Sequence, residues 1–234
     1  MEKKIARREA IGILTAASAG LALGCGDSNP TSPSQTTTGT TTTATTGSTN
    51  AACAVTPTET VGPYPSLTDL FRSDIRESEP GTPLVLTITV VNTNSGCAPA
   101  AGLNVEIWQC DADGNYSQYG TTRSETFLRG IQTTDASGRV TFTTIYPGWY
   151  QGRATHIHVE VVRNGASVKV TQIAFPDATT AAVYGTGVYA PRGQNPTTNA
   201  RDGILADSLS AELATVSGDP ATGMTATFQV GVAL

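Results

Sequence analysis

The chain has 234 residues and a mass of 24.1 kDa, enough for one domain with a core of its own. It carries 14 basic and 19 acidic residues, a formal net charge of −5, and only two histidines. Beyond the first two dozen residues there is no basic run and no interleaving of aromatic and basic side chains, which argues against nucleic acid as a partner.

The chain opens with MEKKIARREAIGILTAASAGLALGC: a basic start, the pair Arg7 and Arg8, an apolar run from Ala10 to Gly24, then Cys25. That order predicts an export signal over residues 1–24, of twin-arginine type, and the run is too short for a good membrane span. LALGC resembles a lipoprotein cleavage box, so any membrane contact is expected through a lipid on Cys25, and the chain is expected in the cell envelope or secreted. An ordinary signal peptide with an incidental cysteine is the alternative. Residues 25–52, rich in Ser and Thr with almost no apolar side chains, cannot bury enough surface to offset chain entropy and read as a disordered tether. Removing residues 1–24 takes away four basic and two acidic groups and leaves 10 and 17, net −7.

The folded part is expected over residues 53–234. Three cysteines remain there, in a compartment that permits disulfides. Cys97 and Cys110 flank a segment that could fold back on itself and are the favoured pair; Cys53 with either of the others is the alternative. Strands are predicted over 84–92, 104–109, 139–146, 155–163, 167–175 and 224–232 from β-branched enrichment and alternation, and Asn164-Gly165 marks a hairpin. Weak helical patterns cover 66–72 and 204–216. Many short strands separated by turn residues predict an all-β sandwich with few short helices.

The stretch PGWYQGRATHIHVEV, residues 147–161, holds both histidines of the chain, His156 and His158. Two apart on a strand, they project from one face, close enough to grip one ion, and neutral imidazole is a common ligand for iron, zinc, copper and nickel. A His-x-His pair can equally lie on a solvated face. Here apolar Ile157, Val159 and Val161 frame the pair, and Tyr150 and Arg153 stand just upstream. Further ligands could come from Glu160, giving His-x-His-x-Glu for zinc or ferrous iron, or from phenolates. A phenol has a pKa near ~10, so only a hard trivalent ion such as Fe(III) ionises it readily.

PGWYQGRATHIH resembles the metal-site segment of the intradiol ring-cleavage dioxygenases, the protocatechuate and catechol dioxygenase family. VEIWQCDADGNYSQYG (105–120), DASGRVTFTTIYPG (135–148), VTQIAFP (170–176) and TVGPY (60–64) resemble further segments of that family in the same order, so the likeness spans residues 60–176. It implies a prealbumin-like β-sandwich and a non-haem Fe(III) held by Tyr116, Tyr150, His156 and His158. It also implies a charge-stabilising role for Arg153, Gln172 as its partner, Tyr150 as the base for one substrate proton, and Tyr64 at the substrate. The loop from Tyr150 to His156 is shorter here than in protocatechuate dioxygenase, which bears on the shape of the substrate pocket.

The activity so implied is cleavage of a catechol-type ring between its two hydroxyls with O2, giving a muconate-type dicarboxylic acid. The residues alone also admit a His-x-His-x-Glu hydrolase or cupin-like oxygenase, and a non-catalytic tethered binding module. Of the other aromatics, Tyr119 competes with Tyr116 for the ligand role, while Tyr146, Tyr184, Tyr189, Trp108 and Trp149 are expected to be structural.

Overall fold

The computed structural model describes residues 53–234; the expected export signal, Cys25 and the tether lie outside the described residues. Along the chain come β1 (Pro83–Asn92), β2 (Ala98–Pro99), β3 (Asn104–Trp108), β4 (Arg129–Thr133), β5 (Arg139–Ile145), β6 (His156–Arg163), β7 (Ala166–Ala174), helices α1 (Asp177–Tyr184) and α2 (Leu209–Glu212), then β8 (Thr215–Asp219) and β9 (Gly223–Val232). Among the described residues no helix is long and apolar enough to cross a membrane.

The strands form two sheets. In the first, β1 pairs with β2 and β5 antiparallel and with β9 parallel, and β8 closes the far edge against β9. The second runs β4-β3-β6-β7, antiparallel throughout. Alternation decides which side chains meet. Leu84, Leu86, Ile88 and Val90 of β1, Phe142 of β5 and Phe228 of β9 share one core with Val105 and Ile107 of β3, Ile157, Val159 and Val161 of β6, and Ile173 of β7. This is the all-β sandwich expected.

β6 departs from a simple alternation. His156 and His158 are buried like Ile157 between them and Val159 after them, so the strand is covered on both faces. The second cover comes from the chain before β1. Gly62 lies so close over His158 that a Cβ there would stand 2.9 Å from its ring. Further on, Leu70 and Arg72 pair their backbones with Ile131 of β4, and Ser73 and Ile75 pair with Thr143 of β5. Those tertiary hydrogen bonds hold residues 70–75 extended where a helix over 66–72 was expected; local propensity there is weak and loses to them.

The second expected helix, 204–216, is confined to α2, because the chain turns extended at Leu213 and pairs as β8. The six expected strands are all present, within two residues of their expected ends. The favoured disulfide is not. Cys53 bonds Cys97, and Cys110 is a buried free thiol. Residues 97–110 do not fold back on themselves: Ala98–Pro99 pairs with β1 in one sheet, while Asn104–Trp108 belongs to the other. The segment crosses the sandwich and carries its two cysteines apart.

Candidate metal centre

Two loops and two strands bring the site together. In the first loop Asp111 organises the turn before Tyr116. Its Oδ1 accepts from the backbone N–H groups of Asp113 (2.9 Å) and Asn115 (2.8 Å), and its own N–H donates to the Asn115 carbonyl. The second loop, Pro147–Tyr150, packs directly on this turn. At Gly148 a Cβ would run into the carbonyls of Asp111 and Ala112, so only glycine lets the two tyrosine-bearing loops touch. Tyr184 donates to the Pro147 carbonyl (2.9 Å) and shares a 2.6 Å bond with Thr155, tying this loop to the start of β6. Tyr189 donates to the Tyr146 carbonyl (2.6 Å), and Tyr146 is fully buried against Thr180, so all three are structural as expected. Trp149, half-buried, donates from its indole to the Gly193 carbonyl.

On β6 the two imidazoles converge: His156 Nε2 and His158 Nε2 stand 3.2 Å apart. His156 Nδ1 donates to the Ala154 carbonyl at 2.7 Å; a carbonyl only accepts, so the proton sits on Nδ1 and the Nε2 lone pair faces the site. Burial, reinforced by the Arg153 charge, pushes the His156 pKa down to about 3, and burial and His156 push His158 well below the ordinary value. Both rings are therefore neutral at physiological pH. The Tyr150 hydroxyl lies 3.2 Å from His156 Nε2, and the Tyr150 and Tyr116 rings lie 5.6 Å apart. Burial raises both phenol pKa values, and for Tyr150 the Arg153 charge opposes the rise.

Tyr116 and Tyr119 separate cleanly. Tyr119 donates to the Pro65 carbonyl at 2.7 Å, whereas the Tyr116 hydroxyl is buried with no well-formed hydrogen bond. Tyr64 stacks on Tyr116 at 4.7 Å, and Trp108 lies flat on His158 at 4.9 Å. Arg153 Nη1 stands 3.4 Å from the Tyr150 hydroxyl, and Nη2 donates to Gln172 Oε1 at 2.5 Å. Gln172, opposite His158 on β7, also donates to the Thr60 carbonyl (3.2 Å). The structure thus gathers Tyr64, Tyr116, Tyr150, Arg153, His156, His158 and Gln172 into one cluster. Glu160 shares the face but lies one strand repeat away, opposite Glu106. Two neutral imidazoles, that of His156 with its Nε2 lone pair turned to the site, beside two phenols form a donor set suited to a cation that can ionise phenols.

A profile of the dioxygenase family matches residues 61–230, most of the chain and nearly all of the described part. The chain belongs to the intradiol ring-cleavage dioxygenase family. It is 34% identical over 132 residues to the protocatechuate 3,4-dioxygenase beta chain of Burkholderia cepacia, covering 50% of this chain and 54% of that one, so it spans about half the length of that relative. Among solved structures it is similar to an intradiol ring-cleavage dioxygenase from Tetranychus urticae (29% identity, TM-score 0.70, 77% of this chain and 95% of that chain). It is also similar to the dioxygenase domain of a dioxygenase–carbohydrate-binding protein fusion from Streptomyces sp. SirexAA-E (31% identity, TM-score 0.60, 77% and 99%).

Two residues of this family member that sequence reasoning passed over stand against the cluster. Arg129, fully buried, donates to the Ser117 carbonyl (2.6 Å), the Ser117 hydroxyl (2.9 Å) and the Tyr64 carbonyl (2.9 Å), and lies 5.8 Å from the centre of the Tyr116 ring. It locks the backbones on either side of the stacked Tyr64 and Tyr116, and burial lowers its pKa to about 10. Asp202 accepts from Arg153 Nε at 2.9 Å. Neither bears a local motif; only the tertiary fold brings them to the site.

Proposed function

We propose that the chain is a non-haem Fe(III) dioxygenase that cleaves a catechol-type ring between its two hydroxyls, incorporating both atoms of O2 into a muconate-type dicarboxylic acid. Tyr116, Tyr150, His156 and His158 would hold the iron. The observation that carries this reading is the buried Tyr116 hydroxyl, left without a well-formed bond beside two neutral imidazoles whose Nε2 atoms converge to 3.2 Å. In a low-dielectric site two phenolates would offset two of the three charges of a ferric ion, which a zinc or ferrous site does not need. When bound, ferric iron would supply a Lewis-acidic, one-electron-oxidising centre that makes an aromatic diol reactive to O2.

The chain's own residues account for the rest. Tyr150, the less buried of the two phenols, would be the base for one substrate hydroxyl proton: as the phenolate it would be when iron is held, its Oη would take up that proton and become a neutral phenol. Arg153 Nη1, 3.4 Å from that oxygen, stabilises negative charge developing on the ring as the proton leaves. Gln172 holds one guanidinium nitrogen, Nη2, from the neighbouring strand. Tyr64, stacked on Tyr116, offers the ring an aromatic wall and keeps water from the Tyr116 oxygen. Between Tyr150 and Arg153 there are only Gln151 and Gly152, both exposed, so this side of the site is bounded by a short turn rather than a long loop.

The Cys53–Cys97 disulfide supports a location outside the reducing cytoplasm. With the export signal and the Ser/Thr tether, we place the domain in the cell envelope, held by a lipid on Cys25, or in the medium. The test is oxygen uptake by iron-loaded protein over catechol, protocatechuate and hydroxyquinol, with 18O2 to trace both atoms into the product. A reddish phenolate-to-iron band that Tyr150→Phe alters, together with doubly labelled diacid, is expected. Carefully loaded protein that takes up no iron would overturn the reading.

A further inference from the structure

The guanidinium of Arg153 presents three nitrogens, and the fold treats them differently. Nε donates to Asp202 Oδ2 at 2.9 Å, and Nη2 donates to Gln172 Oε1 at 2.5 Å. Nη1 alone is left facing the donor cluster, 3.4 Å from Tyr150 Oη and 3.5 Å from His156 Nε2. One edge of the cation is anchored, and the remaining corner is the part that can act.

Asp202 is built to be a rigid anchor. It is fully buried, and three backbone N–H groups hold it independently of Arg153: Ala154 on Oδ2 (2.6 Å), and Ile204 (2.9 Å) and Leu205 (3.1 Å) on Oδ1. Burial alone would raise its pKa, but the bonds from Arg153 and these amides outweigh burial and keep the carboxylate ionised. Earlier in the same segment Asn195 donates from Nδ2 to the Arg153 carbonyl at 3.0 Å, fixing the arginine's backbone as well. Both residues lie beyond the 60–176 stretch whose sequence resembles the family, in the segment between α1 and α2.

We propose that Asp202 is the positioning residue for Arg153: it fixes the guanidinium so that Nη1 points at the reacting ring, and it makes the 195–205 segment part of the reaction machinery. This rests on the ring-cleavage reading of the site. The physical need is specific. Arginine has many side-chain rotamers to lose, and a misplacement of about 1 Å at a reaction centre costs on the order of 10²-fold in rate. Gln172, a neutral amide, holds one nitrogen and leaves the side chain free to pivot; the second, charged anchor at Nε removes the pivot.

The experiment compares wild type, Asp202→Asn, Arg153→Met and the double variant. In the metal-free proteins, 15N spectra of arginine side chains follow the Arg153 Nε–H, assigned by its loss in Arg153→Met. Wild type should show it in slow exchange, and Asp202→Asn should lose that protection. In the iron-loaded proteins, Asp202→Asn should lower kcat roughly 10–100-fold with KM little changed, and should add no further loss in the Arg153→Met background. A merely structural role would lower thermal stability while leaving both kcat per bound iron and the Nε–H signal as in wild type, and that result overturns the proposal. If Asp202→Asn does not fold, wild type decides: an Arg153 Nε–H exchanging as fast as a surface arginine's overturns it. Should the loaded wild type cleave no ring, the dioxygenase reading fails, while the protected Nε–H is still found or not found on its own.

Discussion

The neutral histidines make the metal-free protein acid-sensitive in a window where few other groups titrate. His156 is held down to about 3 by burial and by Arg153, against about 6.5 in the unfolded chain. Between those values the unfolded chain binds a proton that the folded chain refuses, so stability is present above pH 6.5 and falls as pH falls. At pH 5 the gap is about 1.5 units below the unfolded value, which at 1.36 kcal/mol per unit is about 2 kcal/mol from His156 alone. His158, shifted in the same direction, adds to it. Glu212, raised by burial, acts in the opposite sense, because its folded form takes a proton early. Asp202 and Glu77, both lowered, matter only as pH drops toward the ordinary carboxylate range. Urea unfolding of metal-free protein at pH 7, 6 and 5 should therefore show the midpoint falling by more than ~2 kcal/mol-equivalent at constant slope. Replacing both histidines with glutamine should flatten the profile. A stability unchanged from pH 7 to 5, or imidazole resonances titrating near 6.5, would refute the burial argument on which the lone-pair geometry rests.

Three further outcomes follow from the packing. In iron-loaded protein, Tyr116→Phe should abolish or strongly shift the visible band, while Tyr119→Phe, whose hydroxyl is committed to the Pro65 carbonyl, should leave it in place; absorption spectra of the two variants decide. Reducing the Cys53–Cys97 bond, or replacing both cysteines with serine, should cost about 4 kcal/mol by the loop-entropy relation for a sequence separation of 44, read as a lower thermal midpoint. Gly148→Ala drives a methyl into the carbonyls of Asp111 and Ala112, so the two tyrosine loops must part. Iron uptake should then fall more than far-UV circular dichroism changes.

The sandwich was legible because its strands alternate on a scale a sequence shows directly. The buried positions of β1, Leu84, Leu86, Ile88 and Val90, can be picked from the string without a structure. β4 could not: RGIQT has little β character and is a strand only because β3 and residues 70–72 offer partners on both sides. The cysteine pairing failed for a related reason, since nearness in sequence says nothing when the intervening residues change sheets. At the candidate site, the residues that the fold gathers were named from motifs, and those that topology alone brings there were passed over. Arg129 and Asp202 each hold a site residue by bonds spanning long stretches of chain: 65 residues from Arg129 to Tyr64, and 49 from Asp202 to Arg153.

The distribution of unmet polar atoms sharpens the case for the cluster. Among the described residues, four buried side-chain nitrogen or oxygen atoms lack a hydrogen-bond partner, and three of them are Trp108 Nε1, Tyr116 Oη and His158 Nδ1. A buried polar atom without a partner costs about 1–3 kcal/mol, so a fold selected for stability alone would not concentrate three in one place. Nor does the cluster lack means to satisfy them: Gln172, Arg129 and the Thr60 and Tyr64 carbonyls are all nearby and all engaged, each holding a neighbour rigid. The polar capacity around the cluster is used to fix its side chains in place, and of the candidate ligand atoms the Tyr116 hydroxyl is left open. That division of labour is what a binding centre requires and a packed core avoids. It also explains why His156 and His158 are buried on the outer face of their sheet, where an ordinary two-layer sandwich would leave them in water.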